Sequence, residues 1–221
     1  NDLHGLKDTI KSLEQAHHLG ISFKHIIIDG QSTDGTKEFI ECLKVPYELT
    51  WVSEDDHGIY DAMNKGLDRC SHGYVNFLNA GDILCLEKFD WSRFTMDLRT
   101  SSSDIIACGY IFKDIKSKTK YVAPRRITCM YPGMPSSHQA MFFQSKAIKS
   151  TRFDINFQVC GDFDLIMRMI YNGATVSLFD GPVTVFRSGG LSFQKPLVLF
   201  RASTRVSANH CTSSLLLPSQ V

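Results

Sequence analysis

Three apolar runs in this chain each lead into a loop that carries acids, and this recurrence restricts the fold more than any other feature. Ile26-Ile27-Ile28 ends in Asp29-Gly30, the run from Tyr47 to Ser53 ends in Glu54-Asp55-Asp56, and Tyr74-Val75-Asn76-Phe77-Leu78 ends in Asn79-Ala80-Gly81-Asp82. Short β-branched or aromatic runs bounded by turn residues read as strands, and the stretches between them have helical spacing. Strand, helix, strand, helix, strand in that order builds a largely parallel sheet with right-handed crossovers. Open α/β sheets bind ligands outside the carboxyl ends of their strands, where all three acidic loops fall. Acids so placed suit a sugar joined to a metal-bound phosphate.

The helical stretches are amphipathic. Leu3, Leu6, Ile10, Leu13 and Ala16 share one face of a helix expected over Leu3 to Leu19. A strand from Phe23 to Asp29 follows, and Ser32, Thr33 and Asp34 offer caps for a helix to about Leu43. A second crossover helix is expected from Gly58 to Cys70 and the next strand from Gly73 to Leu78. Beyond Asp82 the pattern predicts a helix over Asp90 to Leu98. A hairpin of Asp104 to Lys113 with Thr119 to Val122 follows, turning at Ile115 to Lys118. Then come a strand from His138 to Gln144, a helix from Asp162 to Asn172, and short strands at Ala174 to Phe179 and Val183 to Phe186. In a βα fold a strand precedes the first helix, so Asn1-Asp2 reads as the loop after one.

Composition narrows the partners. A formal net charge of +1 and no lysine-arginine block give no reason to expect nucleic acid. After Asp180 no acid occurs, while Arg187, Lys195, Arg201 and Arg205 remain. That basic end suits phosphates or an anionic membrane surface, or simply a solvated tail. Seven cysteines without a CxxC pair fit buried thiols in a reducing cytosol better than a disulfide framework or a zinc site. No run approaches the ~18 apolar residues of a membrane span. The expected location is cytoplasmic, with peripheral contact at the inner membrane face.

Five segments in order, IIIDGQSTDGT, SEDDHGIYDAMNKG, FLNAGD, SHQAMFF and GDFDLIMRMIYNG, resemble the inverting GT-A glycosyltransferases of family 2. Within that family they look most like bacterial polysaccharide enzymes of the colanic-acid type. The similarity runs from about Ser22 to Gly190. It implies a GT-A (Rossmann-like) α/β fold, a mostly parallel sheet flanked by helices. Residues 1–195 would form one domain, with 1–82 as the nucleotide-sugar half and 83–195 as the acceptor half, and 196–221 a basic tail. The implied activity is transfer of a sugar from a UDP- or GDP-sugar to a saccharide or lipid-linked acceptor, with inversion and with Mg²⁺ or Mn²⁺. The resemblance assigns Asp162 as catalytic base, Asp82 as metal ligand, and Asp29, Asp61, Asn79 and His138 to the nucleotide-sugar side. Two positions depart from the family pattern. Asn79-Ala80-Gly81-Asp82 keeps only the last acid of the usual metal motif, and Gly161 stands where an acid usually precedes the base.

Residue by residue, the chemistry has rivals. Asp82 is also a normal turn aspartate, and Asp162 a normal helix N-cap. Asp29 suits a nucleoside hydrogen bond or a turn, and Asp34 suits a helix cap. Asp164 is spaced to pair with Arg168 one turn on. His138 with Gln139 suits a phosphate, an acceptor sugar or a core-edge histidine satisfied by backbone. Gly189-Gly190 suits a phosphate approach or a turn. A non-catalytic nucleotide-sugar-binding remnant lacking its first strand is the alternative to the enzyme.

Overall fold

The structure, a computed structural model, describes residues 1–114, 116–126 and 134–187. Ile115, Gly189-Gly190 and the tail 196–221 lie outside those residues. Helix α1 spans Leu3–His18 and is capped by Asp2, whose carboxylate accepts the Gly5 N–H at 2.9 Å. Strand β1 (Lys24–Asp29), helix α2 (Thr36–Cys42), strand β2 (Glu48–Ser53) and helix α3 (Ile59–Asp68) follow in the expected order. β1 and β2 pair in parallel, with Asp29 opposite Ser53. Ile10 of α1, Ile27 of β1 and Ile40 of α2 form the apolar contact that closes this unit.

The start of α2 differs from the capping expected of Ser32 to Asp34. Gly35 occupies the cap position at φ +87°, a left-handed conformation that glycine takes without strain. Asp34 instead ties two elements together. Its Oδ2 accepts the Leu3 N–H at 2.9 Å, and its Oδ1 accepts the Thr36 hydroxyl at 2.6 Å and the Thr36 N–H at 3.3 Å. The Thr36 hydroxyl and then the Leu3 N–H hold the Asp34 carboxyl down to about 2, from the usual 3.8. A carboxyl lowered on folding stabilises the fold above its unfolded value and loses that contribution as pH falls through the folded one. The thermal midpoint is therefore expected to fall between pH 3.8 and about 2, and to fall less steeply in Asp34→Asn. Equal slopes in the two proteins would remove Asp34 from the acid response.

The third strand is shorter than expected and joins another sheet. β3 is only Tyr74–Val75 and pairs antiparallel with a later strand, not with β1. Asn76 ends it, because its side-chain amide donates to the carbonyls of Gln139 and Met141, at 3.0 and 2.9 Å, in place of a continued ladder. Then come β4 (Ile83–Leu84), α4 (Trp91–Thr100, capped by Asp90), β5 (Ile105–Lys113) and β6 (Thr119–Val122). The β5–β6 hairpin is as the spacing predicts. His138 to Ala140 is a 3₁₀ turn rather than strand, closed by Ala140 N–H to Ser137 O at 2.8 Å, and β7 is confined to Met141–Gln144. A short helix α5 (Ser145–Thr151) was not expected, although the Gln144 side chain caps it by accepting the Ala147 N–H. Helix α6 spans Gly161–Tyr171. The two short strands expected at the end are one, β8 (Val176–Arg187), kinked at Gly181 (φ +112°) where its register against β5 shifts.

The larger sheet runs β3-β7-β5-β8-β4, with β6 beside β5. The longest ladders in the protein, β5 with β8 and β1 with β2, are parallel. β5 is buried on both faces, as a central strand of an α/β sheet must be. Ile105 and Ala107 face a core with Met141, Phe143, Leu165 and Ile166; Ile106 and Cys108 face an aromatic core with Phe94, Phe142 and Phe179. The period-two alternation of one strand thus splits the interior into two layers. The first layer lies under α3, α5 and α6, of which α3 carries Tyr60 and Asp61 and α6 carries Asp162. Among the described residues, no helix is long and apolar enough to cross a membrane.

Candidate active site

Asp29 ends β1 almost fully buried, at 5% exposure. Its carboxylate accepts the Ser53 hydroxyl at 2.7 Å and the Ser32 N–H at 3.2 and 3.3 Å. Burial pushes this carboxyl up, and the bonds from Ser32 and Ser53 more than offset it, so it sits below the usual range. Beside it the two βα loops touch. A Cβ on Gly30 would lie 2.1 Å from Asp56 Oδ2, so only glycine admits that approach. Asp56 accepts the Gly58 N–H at 2.8 Å, and Asp61 accepts the His57 N–H at 3.0 Å. Lys65 lies 3.5 Å from Asp61 and 3.4 Å from Glu54. The His57 N–H, with Lys65 adding to it, keeps the Asp61 carboxyl low.

A second constellation joins residues far apart in sequence. His138 Nδ1 lies 2.9 Å from Asp162 Oδ2, with only 16% and 19% of the two side chains exposed. On the other edge of the ring, Asn79 Nδ2 lies 3.3 Å from His138 Nε2. Asn79 in turn gives its N–H to Asp82 Oδ2 at 2.9 Å, closing the turn of Asn79 to Asp82. The Tyr60 hydroxyl donates to Asp162 Oδ1 at 3.3 Å, and the Phe163 N–H reaches the same oxygen at 3.0 Å. Asp82, Asn79, His138, Asp162 and Tyr60 therefore form one continuous polar path.

The electrostatics of the pair follow from its surroundings. Burial pushes the Asp162 carboxyl up, but the hydrogen bond and charge of His138 and the Phe163 N–H bring it below 3.8. Burial pushes His138 down, yet the bond and charge of Asp162, with Asp82 adding, raise it above 6.5. The aspartate's contribution to folding is complete above 3.8, and the histidine's below 6.5. The charged pair is thus fully formed between those values. It loses the histidine charge only as pH rises through the folded histidine value.

Asp162 is not a helix N-cap. Cys160 holds that position at φ +66°, and Asp162 lies inside the first turn with its carboxylate on His138 and Tyr60. Asp82 both closes its turn and lies near enough to His138 to act on it. Asp164 pairs with Arg168 at 2.7 Å, as the spacing predicts. Helix α3 links the two constellations, since Asp61 belongs to the loop cluster and the preceding Tyr60 to Asp162. Sequence reasoning passed over Tyr60 and Asn64. The available signal was an asparagine on the otherwise apolar face of Tyr60, Met63 and Leu67, all buried.

Among the described residues no three His, Cys, Asp or Glu side chains are grouped to hold a cation. Magnesium does not require such a group. Mg²⁺ is commonly bound by one or two carboxylates together with substrate phosphates and water. Asp82 is buried in the turn of Asn79 to Asp82 that leads into β4, not at the end of the strand expected from Gly73 to Leu78, and as a single carboxylate beside His138 it fits that mode.

Comparison with known proteins agrees with this architecture. The chain is 28% identical over 179 residues to an uncharacterized glycosyltransferase of Mycobacterium tuberculosis (strain CDC 1551 / Oshkosh), covering 76% of this chain and 64% of that protein. It is 24% identical over 176 residues to a PGL/p-HBAD biosynthesis glycosyltransferase of Mycobacterium bovis (strain BCG / Pasteur 1173P2), covering 77% and 68%. Among solved structures, S. aureus TarS 1–349 in complex with UDP-GlcNAc superposes with a TM-score of 0.68 at 13% identity, over 92% of this chain and 62% of that one. The mannosyltransferase PcManGT of Pyrobaculum calidifontis, in complex with GDP-Man and Mn²⁺, superposes at 0.60 and 15% identity, over 95% and 59%. The chain thus spans about two thirds of the proteins it matches, and the fold is GT-A-like α/β. The profile described as Glycosyl transferase family 2 matches residues 1–172, and the chain belongs to that family.

Proposed function

We propose that this chain is the catalytic domain of an inverting glycosyltransferase that uses a UDP- or GDP-sugar and a saccharide or lipid-linked saccharide acceptor. The observation that carries this reading is the continuous path from Asp82 through Asn79 and His138 to Asp162. It links a carboxylate suited to a metal-bound diphosphate, through Asn79 and His138, to one suited to take a proton. Asp162 is the base. It takes the acceptor hydroxyl's proton as that oxygen bonds the anomeric carbon from the face opposite the diphosphate, which leaves with the electron pair of the broken C–O bond. A base must lie within about 3 Å of its proton donor and be ionised at working pH, and the depressed Asp162 carboxyl meets the second condition. Asp82 would hold Mg²⁺ or Mn²⁺, which neutralises charge on the leaving diphosphate. Asp29 and Asp61 would hold the nucleoside, with Asn79 and His138 beside the diphosphate. Residues 1–82 serve the donor and 83–195 the acceptor.

The UDP-GlcNAc bound to TarS and the GDP-Man with Mn²⁺ bound to PcManGT support both donor classes. The resemblance to colanic-acid-type enzymes supports polysaccharide synthesis at the cytoplasmic face of a membrane, as exopolysaccharide. Calorimetric titration with UDP and GDP, with and without Mn²⁺, tests the donor side. The expected result is binding of one nucleotide that strengthens with Mn²⁺, and loss of that strengthening in Asp82→Ala. A folded chain that binds neither nucleotide would overturn the reading and leave an inactive remnant without a nucleotide pocket as its successor.

A further inference from the structure

Tyr60 stands where nothing in its own sequence neighbourhood accounts for it. Its ring is buried, at 7% exposure, and stacks on Phe153 with centroids 5.5 Å apart and planes at 18°. Phe153 is fixed in turn by the Asn64 side chain, which accepts the Phe153 N–H at 3.0 Å and donates to the Phe153 carbonyl at 2.9 Å. The edge of the ring lies against Gly161, where a Cβ would come within 2.6 Å of Tyr60 Cε2 and 2.8 Å of Cδ2. The position before the base is therefore glycine because the tyrosine ring occupies the space of any side chain. Burial, and next the charge of Asp162, push the Tyr60 hydroxyl well above its ordinary value, so it remains a donor.

A carboxylate offers about four lone-pair positions. His138 Nδ1 lies against Oδ2, while the Tyr60 hydroxyl and the Phe163 N–H both reach Oδ1. We propose that Tyr60 is a positioning residue of the proton acceptor: its hydroxyl on Oδ1, with His138 on Oδ2, fixes the plane of Asp162 so that the carboxylate meets the incoming sugar hydroxyl in one orientation. This rests on Asp162 being the base. The titratable groups that act on Asp162 or its partners are His138, Tyr60, Cys160 and, through His138, Asp82.

Tyr60→Phe isolates the hydroxyl, because the ring stack and the contact with Gly161 survive. Two readouts decide the matter in wild type and variant. One is the ¹³C-carboxyl titration of Asp162, and the other is kcat and KM for transfer from a UDP- or GDP-sugar. The expected results are an Asp162 titration moved to higher pH, a thermal midpoint lowered above pH 3.8 by no more than that shift implies, and a kcat about tenfold lower at unchanged KM where the variant is folded, as one lost hydrogen bond to a charged group predicts. An unmoved carboxyl titration, an unchanged kcat, or a kcat that falls only with the thermal midpoint would overturn the proposal. Wild-type protein that transfers no sugar would overturn the transferase reading instead. The two failures separate because the carboxyl titration reads the Tyr60 contact with or without transfer.

Discussion

Asp162→Asn is expected to lower kcat by about 10²–10⁴-fold, the usual contribution of a positioned general base. The substitution changes few heavy-atom positions. The side-chain oxygen still accepts from Tyr60 and Phe163, and the new amide faces His138 Nδ1, which neutral imidazole accepts once its proton moves to Nε2. The Asn79 side chain, 3.3 Å from Nε2, can present its oxygen to that proton. Nucleotide binding is expected to change far less than kcat, while the thermal midpoint falls most between pH 3.8 and 6.5, where the charged pair is fully formed. His138 itself should titrate lower, since the bond and charge that raise it are gone. The measurement is single-turnover transfer at saturating donor beside the Kd of the free nucleotide. Transfer within a few-fold of wild type would mean that the acceptor's proton goes elsewhere.

How much of this site the sequence reveals depends on which interactions are local. Asp29 at the end of an isoleucine run is legible because strand, turn and first helical residue lie within one βα unit, and its partners Ser32 and Ser53 belong to that unit and its neighbour. The Asp164–Arg168 pair is legible for the same reason, since four residues bring it to one helix face. The His138–Asp162 bond is not. Nothing about either position announces a partner 24 residues away. The strand expected from Gly73 to Leu78 failed on one side chain: Asn76 has the periodicity of a strand residue but spends its amide on two carbonyls of a neighbouring segment. Helix α5 was invisible because seven residues are too few for a periodic signal. Gly161 is the most instructive position. As sequence it is a missing acid, and as structure it is the clearance that Tyr60 requires.

The second large effect concerns what holds that arrangement from behind. Arg168, on α6, places one planar fork on three acceptors. Its Nε donates to Asp164 Oδ2 at 2.7 Å, and its two terminal nitrogens donate to the carbonyls of Thr151 and Arg152 at 2.8 Å each. Those carbonyls belong to the end of α5, where helices leave acceptors without intrahelical partners. Arg152 there takes φ +54°, a conformation that costs a side-chain-bearing residue energy and needs neighbours to hold it. Phe153, the ring beneath Tyr60, comes next in the chain. Arg168→Ala takes the counter-charge from Asp164, a side chain only 8% exposed, and strips donors from both carbonyls. A loss of about 3–5 kcal/mol in unfolding free energy is expected, as for other buried pairs broken from one side. Arg168→Lys keeps the charge but cannot span three acceptors, so it should fall between wild type and alanine. Asp164→Leu combined with Arg168→Met should recover part of the loss, since no buried charge is left behind, but not the two carbonyl bonds. Urea midpoints of the four proteins decide this. A loss in Arg168→Ala below about 1 kcal/mol, the scale of an exposed ion pair, would show that α5 and the Phe153 segment are held by packing alone. If the larger figure is right, Arg168→Lys should also lower kcat with little change in KM, because the ring that sets Tyr60 against Asp162 would no longer be held at one angle.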